Sequence, residues 1–154
     1  MCYSIESDIE TDFKEDFEED LQGFFPDSLT YFFEQYGGYE ENSMVSQVEK
    51  ILDIDLSLFQ NTWHPEMEYD EDIDAESHEF WIAISEIKNC VTLFLQKIAA
   101  NPTYYNQVNY IGEYFPDDHG YLSSNQLNRD LDWMLATLNQ LEKEEAKKIR
   151  FVYM

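Results

Sequence analysis

The first 86 residues carry 25 acidic side chains and two basic ones, Lys14 and Lys50, for a net charge of −23. Residues 87–154 carry eight acids and seven bases, for a net of −1. Like charges packed this densely repel one another and oppose a compact state. Such a front half folds only if apolar contacts outweigh the repulsion. The apolar material is present, since 44% of the 154 residues are hydrophobic, 16% are aromatic, and Phe and Tyr number 11 each. A disordered acidic tail would be poor in rings. The length suits one acidic globular domain, 1–154. Solubility needs far less charge than a total of −24, so the excess points to a partner or an environment that uses the field. A halophilic origin is a lesser alternative, because it goes with modest aromatic content.

Two cysteines, Cys2 and Cys90, form no disulfide framework. No basic flank precedes an apolar run at the N-terminus, so no signal peptide is expected. No 18-residue apolar stretch exists, so no transmembrane helix is expected. A cytoplasmic protein follows as the default. Anionic membranes and nucleic acid are both repelled by this charge, which argues against either as a direct partner.

Apolar spacing predicts a mainly helical α+β fold, about five helices with a small sheet that includes the C-terminal strand. Residues 3–7 read as a short strand or an arm. Ile9, Phe13, Phe17 and Leu21 recur every four residues and mark a helix near 8–21 whose other faces are acidic. Asp27 is suited to cap a helix over 27–36, closed by Gly37-Gly38. Asn42 is suited to cap a third over 43–52. Residues 53–60 alternate Asp53, Ile54, Asp55, Leu56, Ser57, Leu58, the pattern of a strand with one wet face, and are expected to pair with a terminal strand at 149–154. Phe80, Trp81, Ile84, Ile87, Val91, Phe94, Leu95 and Ile98 predict a long helix over 78–100, stopped by Asn101-Pro102. Residues 103–121 read as a structured loop. Ser123 and Gln126 form a capping box for a last helix over 124–146, whose Lys143, Lys147 and Lys148 suit its C-terminal dipole.

Metal and catalytic chemistry are both poorly encoded. Asp70, Asp72 and Asp74 match the first ligand positions of an EF-hand calcium loop. The required glycine is Ala75 and the bidentate acid is Trp81, so turn and ligand count both fail. His64 and His78 are too far apart for one helical face. Paired carboxylates are so frequent here that their pairing carries no information. No phosphate loop, nucleophile elbow or CxxC is present, and Cys90 reads as a small core residue. No metal, no cofactor and no catalytic activity are expected.

Interface chemistry fits best. Trp63, Met67 and Tyr69 are interleaved with Glu66, Glu68, Asp70, Glu71, Asp72 and Asp74, and rings among acceptors are what a basic protein surface engages. The outer face of the 8–21 helix, through Glu15, Asp16 and Glu19, extends this candidate face. A second candidate is the tyrosine-rich loop with Tyr104, Tyr105, Tyr110, Tyr114 and Tyr121, whose bland alternative is a rim of rings capping the core.

In charge and size the chain resembles acidic immunity proteins of bacterial polymorphic and contact-dependent toxin systems. Phe25-Pro26-Asp27-Ser28-Leu29 through Tyr36-Gly37-Gly38 is similar to the P-x-S…F…Y-G-G segment of one widespread immunity superfamily. That superfamily continues into a mixed sheet, whereas the residues that follow here read as helical and acidic, so its fold and contacts are not carried over. The resemblance implies an inhibitor of a basic, nuclease-like toxin. The alternative is a DNA mimic of the phage anti-restriction or anti-CRISPR type. A mimic spreads its acids to imitate phosphates, and the neutral second half favours one dedicated face instead. A homodimer is compatible with the sequence.

Overall fold

The structure, a computed structural model, describes residues 3–9, 23–33, 43–60, 62–63, 81–109 and 118–153, with Trp63, Asp118, His119 and Tyr153 described in their backbone only. Among these residues five α-helices accompany a small sheet, the mainly helical α+β class expected. In chain order the elements are β1 (Tyr3–Ser7), α1 (Asp27–Phe33), α2 (Met44–Leu52), a 3₁₀ turn (Ser57–Gln60), β2 (Thr62–Trp63), β3 (Ile82–Ala83), α3 (Ile84–Ala100), a second 3₁₀ turn (Tyr104–Gln107), α4 (Asp118–Ser123), α5 (Gln126–Lys143) and β4 (Lys148–Tyr153). The predicted helix at 8–21 lies outside the described residues beyond Ile9.

β4 is the central strand. β1 runs antiparallel to it from Tyr3↔Tyr153 to Ser7↔Ile149. On its other edge β2 lies parallel, Thr62↔Phe151 and Trp63↔Val152, and β3 lies antiparallel, Ile82↔Ile149 and Ala83↔Lys148. The partner expected for β4, residues 53–60, is not in the sheet. Its alternation does describe burial, since Ile54 and Leu56 are buried while Asp53 and Asp55 are exposed. The backbone bends instead. Asp53 closes α2 in the left-handed region at φ 51, and the Asp55 carboxylate accepts the Ser57 amide at 2.9 Å, which turns the chain into the 3₁₀ segment.

The long helix also starts later than its apolar spacing suggests. Trp81 is extended, Ile82-Ala83 form β3, and α3 begins at Ile84. No side chain caps it; the Ile84 amide donates to the Lys147 carbonyl at 2.9 Å, so the sheet ladder runs straight into the first turn. Ile84, Ile87, Val91, Phe94 and Ile98 form the buried stripe, and Asn101-Pro102 ends the helix as expected. α3 packs on α5, which buries Leu127, Leu131, Met134, Leu138 and Leu141. Lys88 and Glu142 join the two helices by an ion pair at the surface.

Three capping expectations are corrected. Asp27 is the first helical residue of α1 and not its cap; the Pro26 carbonyl accepts the amides of Leu29 and Thr30, and Asp27 is left to favour the helix dipole. Ser43, not Asn42, caps α2, its hydroxyl accepting the Ser46 amide at 3.2 Å. The Ser123–Gln126 capping box does not form. Ser123 is the last residue of α4, and Asn125 turns the chain into α5 at φ 62 without a side-chain cap. α5 stops at Lys143, so Lys147 and Lys148 lie at the start of β4 and not in its last turn.

Aromatic rings join the helical layer to the sheet. Phe33 stacks on Phe59 at 4.4 Å between centroids, Phe59 on Phe151 at 5.7 Å, and Phe25 meets Phe151 edge-on at 5.5 Å. These contacts tie α1, the 3₁₀ turn and β4 into one core.

Candidate interaction surface

The acids are not spread over the described residues. Those residues contain 13 acids and eight bases, a net of −5. Residues 10–22 contain seven acids and Lys14, a net of −6, and residues 64–80 contain eight acids with no Lys or Arg, a net of −8. Glu66, Glu68, Tyr69, Asp70, Glu71, Asp72 and Asp74, and likewise Glu15, Asp16 and Glu19, lie outside the described residues. The points where these two stretches join the fold are described, and all of them are at the sheet.

The first stretch leaves after Asp8, whose amide donates to the Lys148 carbonyl at 3.1 Å and whose carboxylate accepts the Lys147 amide at 3.2 Å. It returns at Gly23, whose carbonyl accepts the Ile5 amide at 2.7 Å on the outer edge of β1. Gly23 has φ +81, and a Cβ there would sit 3.1 Å from the Ile5 carbonyl oxygen. Glycine is therefore required on both counts. The second stretch leaves β2 at Trp63, opposite Val152, and returns through Trp81 to Ile82, opposite Ile149. Its two ends are thus three register positions apart on one edge of β4, about 10 Å at the rise of a strand. Three bases, Lys147, Lys148 and Arg150, lie at these roots. Arg150 donates from Nε to Glu6 at 3.0 Å and lies 4.8 Å above the Trp81 ring.

A second electronegative feature was not anticipated. A concavity of about 650 Å³ at the C-terminal end of α2 is lined by Ser46, Glu49, Lys50, Asp53, Ile54 and Asp55. Glu49 accepts the Leu56 amide at 2.9 Å, which fixes one carboxylate. The Ser57 hydroxyl and amide hold the Asp55 carboxyl below the usual range, so it is ionised at neutral pH. Three carboxylates and the Lys50 ammonium group thus stand together at the negative end of the helix dipole. In the sequence the signal of this concavity is the Asp-Ile-Asp alternation of 53–55, which by spacing alone predicts a strand.

Cys90, Asp130 and three tyrosines are packed against or within the interior. Burial, then the charges of Asp55 and Glu49, push the Cys90 thiol up to about 11, so it is mostly protonated at neutral pH and weakly nucleophilic. Asp130 is buried inside α5 and accepts from Ser28, Tyr121 and Gln126. The expected loop at 103–121 is instead helical where it is described beyond Thr103, Val108 and Asn109, with Tyr104 and Tyr105 in the second 3₁₀ turn and Tyr121 in α4; Tyr104 is buried in the core, and Tyr105 and Tyr121 pack against the core, so these three rings cap the interior. Tyr110 and Tyr114 lie outside the described residues. Phe24 and Tyr31 are the more exposed rings, at 45% and 53%. Among the described residues no three of His, Cys, Asp or Glu are placed to hold a metal ion, and no helix is long and apolar enough to cross a membrane.

No family model matches the chain, no curated protein matches it, and no solved structure matches its fold.

Proposed function

We propose that the chain is a binding protein, an immunity protein that neutralises a cognate, basic, nuclease-like toxin by direct complex formation through an acidic face. One observation carries this reading. Of the net charge of −24, −14 resides in two stretches, 10–22 and 64–80, which join the fold at one small sheet, at Asp8 beside β4, at Gly23 on the outer edge of β1, and at β2 and β3, while the described residues sum to −5. A charge excess placed for solubility has no reason to be rooted on one small sheet. A field directed at a basic partner does, because it steers encounter and supplies carboxylates to arginine forks. Glu66, Glu68, Asp70, Glu71, Asp72 and Asp74, with Glu15, Asp16 and Glu19, are the proposed acceptors, and Trp63 and Tyr69 the proposed apolar anchors.

The test is affinity capture on the full-length chain from its host, with the strongest binder identified by mass spectrometry and the interaction repeated with purified components. A basic toxin domain whose activity is blocked at a 1:1 ratio is expected. Capture of a DNA-binding restriction or CRISPR protein would move the assignment to a DNA mimic. A purified toxin that remains fully active in the presence of excess chain would overturn the proposal.

A further inference from the structure

Glu6, Arg150 and Trp81 form one row across the sheet. Glu6 is in register with Arg150. Trp81 directly precedes β3, and the antiparallel register Ile82↔Ile149, continued by one position, brings it beside Arg150 from the other side. Ile149 and Phe151 are buried in the core, so the alternation of a strand turns Arg150 to the opposite face of β4. Its side chain is 19% exposed, and the Glu6 side chain that accepts its Nε–H at 3.0 Å is 50% exposed. Its Cζ lies 4.8 Å from the centre of the Trp81 ring. Trp133 packs against the hydrophobic core, but Trp81 is not among the described residues that form or line it. Its ring faces a guanidinium instead.

A carboxylate on one side and an indole face on the other suit an arginine. The carboxylate accepts its N–H groups, and the ring attracts the flat, weakly hydrated cation, which a compact ammonium group matches less well. Neither contact is strong at a surface, because water competes for the ion pair and weakens the attraction to the ring. The backbone of Arg150 is held by the ladders to β1 and β3 whether or not its side chain is in place. A second arginine can therefore take over both contacts while the Arg150 side chain turns out to solvent.

We propose that Glu6 and Trp81 form an arginine-binding slot, which Arg150 fills in the free protein and yields to an arginine of the partner. The proposal rests on the reading of the chain as the binder of a basic protein, and it adds the group that is recognised and an internal competitor for it. Arg150 keeps the carboxylate and the indole in place before binding. It also lowers the affinity for any arginine that makes no other contact, because each must first displace it. An arginine delivered with the rest of an interface overcomes that competition and an isolated one does not, which favours one partner over other cationic proteins.

The test uses the full-length protein with N-ethylguanidinium as the probe, at constant ionic strength, and follows the Trp81 indole N–H and the Glu6 and Trp81 amides by NMR. Arg150→Ala is expected to bind the probe about tenfold more tightly than the parent, because the competitor is gone. The same variant should bind N-ethylammonium several-fold more weakly than the probe. Adding Glu6→Gln or Trp81→Leu to Arg150→Ala should abolish the gain. Arg150→Gln should behave as Arg150→Ala does, and it replaces the alanine variant if that protein melts early. A probe bound no better by either variant than by the parent, or no better than the ammonium, would overturn the proposal. These measurements need no partner, so they decide the slot even where no basic partner is found. With the purified partner, Arg150→Ala should slow dissociation, and Glu6→Gln and Trp81→Leu should speed it. An Arg150→Ala protein that releases the partner faster than the parent would also overturn the proposal, since a competitor cannot hold the complex together.

Discussion

The Tyr121 hydroxyl donates to Asp130 Oδ2 at 2.9 Å, and the same oxygen accepts the Ser28 hydroxyl at 2.8 Å. Gln126 Nε2 reaches the other oxygen at 2.9 Å. One buried carboxylate thus joins α1, α4 and α5. Asp130→Ala strands three donors and is expected to cost about 2–3 kcal/mol, with Tyr121→Phe costing about 1–2 and Ser28→Ala about 1. Urea unfolding of the three variants checks the order.

The same pair sets a pH limit. Burial, then the Asp130 charge, raise the Tyr121 pKa far above its ordinary value. The folded state therefore holds the phenol proton more tightly than the unfolded state. This contribution is complete below the unfolded tyrosine pKa of about 10 and is lost progressively as pH rises above it. Stability measured from pH 8 to 11.5 should fall at the alkaline end, and Tyr121→Phe should flatten that fall. An equally steep fall in the variant would remove Tyr121 as its source.

Cys90 is expected to react slowly. Its thiol donates to the Asp55 carbonyl at 3.7 Å and its pKa is raised to about 11. In a Cys2→Ser background, alkylation by iodoacetamide at pH 8 should run roughly a hundredfold slower than for an ordinary cysteine, because the thiolate fraction is that much smaller. Asp55→Asn should speed it by removing the nearest negative charge. A rate equal to that of a free thiol would contradict the placement of Cys90.

Glu145 offers a stabilising change. It sits at φ 70 just beyond α5. Its amide donates to the Glu142 carbonyl and the Ala146 amide to the Leu141 carbonyl, both at 3.0 Å, the paired bonds of a Schellman ending. Glycine is at home in that conformation, whereas a side chain costs on the order of 1 kcal/mol. Glu145→Gly should raise the melting temperature by about 2–4 °C, with Glu145→Gln as the control for lost charge. No rise beyond that control would show that the left-handed position is unstrained.

The sequence disclosed what depends on periodic burial and hid what depends on pairing. The stripe from Ile84 to Ile98 and the stop at Asn101-Pro102 were legible because three-four spacing and a proline act locally. The start of α3 was not, because Ile82 and Ala83 are drawn into β3 by a strand more than 60 positions away, through Ile82↔Ile149 and Ala83↔Lys148. The alternation in 53–60 reported solvent exposure correctly. It could not report that Asp53 and Asp55 would bend the backbone. At the candidate surface, composition revealed where the acids lie along the chain. Only the strand pairings show that both stretches are rooted in the same small sheet.

That shared root leads to the binding prediction. If the fields of residues 10–22 and 64–80 steer a basic partner, association should slow steeply with rising ionic strength while dissociation changes less. Reversing Asp70 and Asp72 to lysine changes the charge of the second stretch by four, from −8 to −4. It should weaken binding mainly through the association rate and reduce its salt dependence. Trp63 is a different kind of residue, a ring at the root and not a rim charge. Trp63→Ala should cost about 2 kcal/mol or more of binding and act on dissociation, as a central anchor does. Its backbone lies in β2 opposite Val152, so the variant must first be shown to melt as the parent does. Stopped-flow association at two salt concentrations separates the outcomes. A folded Trp63→Ala protein with unchanged dissociation makes Trp63 a packing residue. A double reversal that leaves rate and salt dependence untouched moves the binding face away from 64–80, and the carboxylates of Glu49, Asp53 and Asp55 around the concavity become the charges to reverse next.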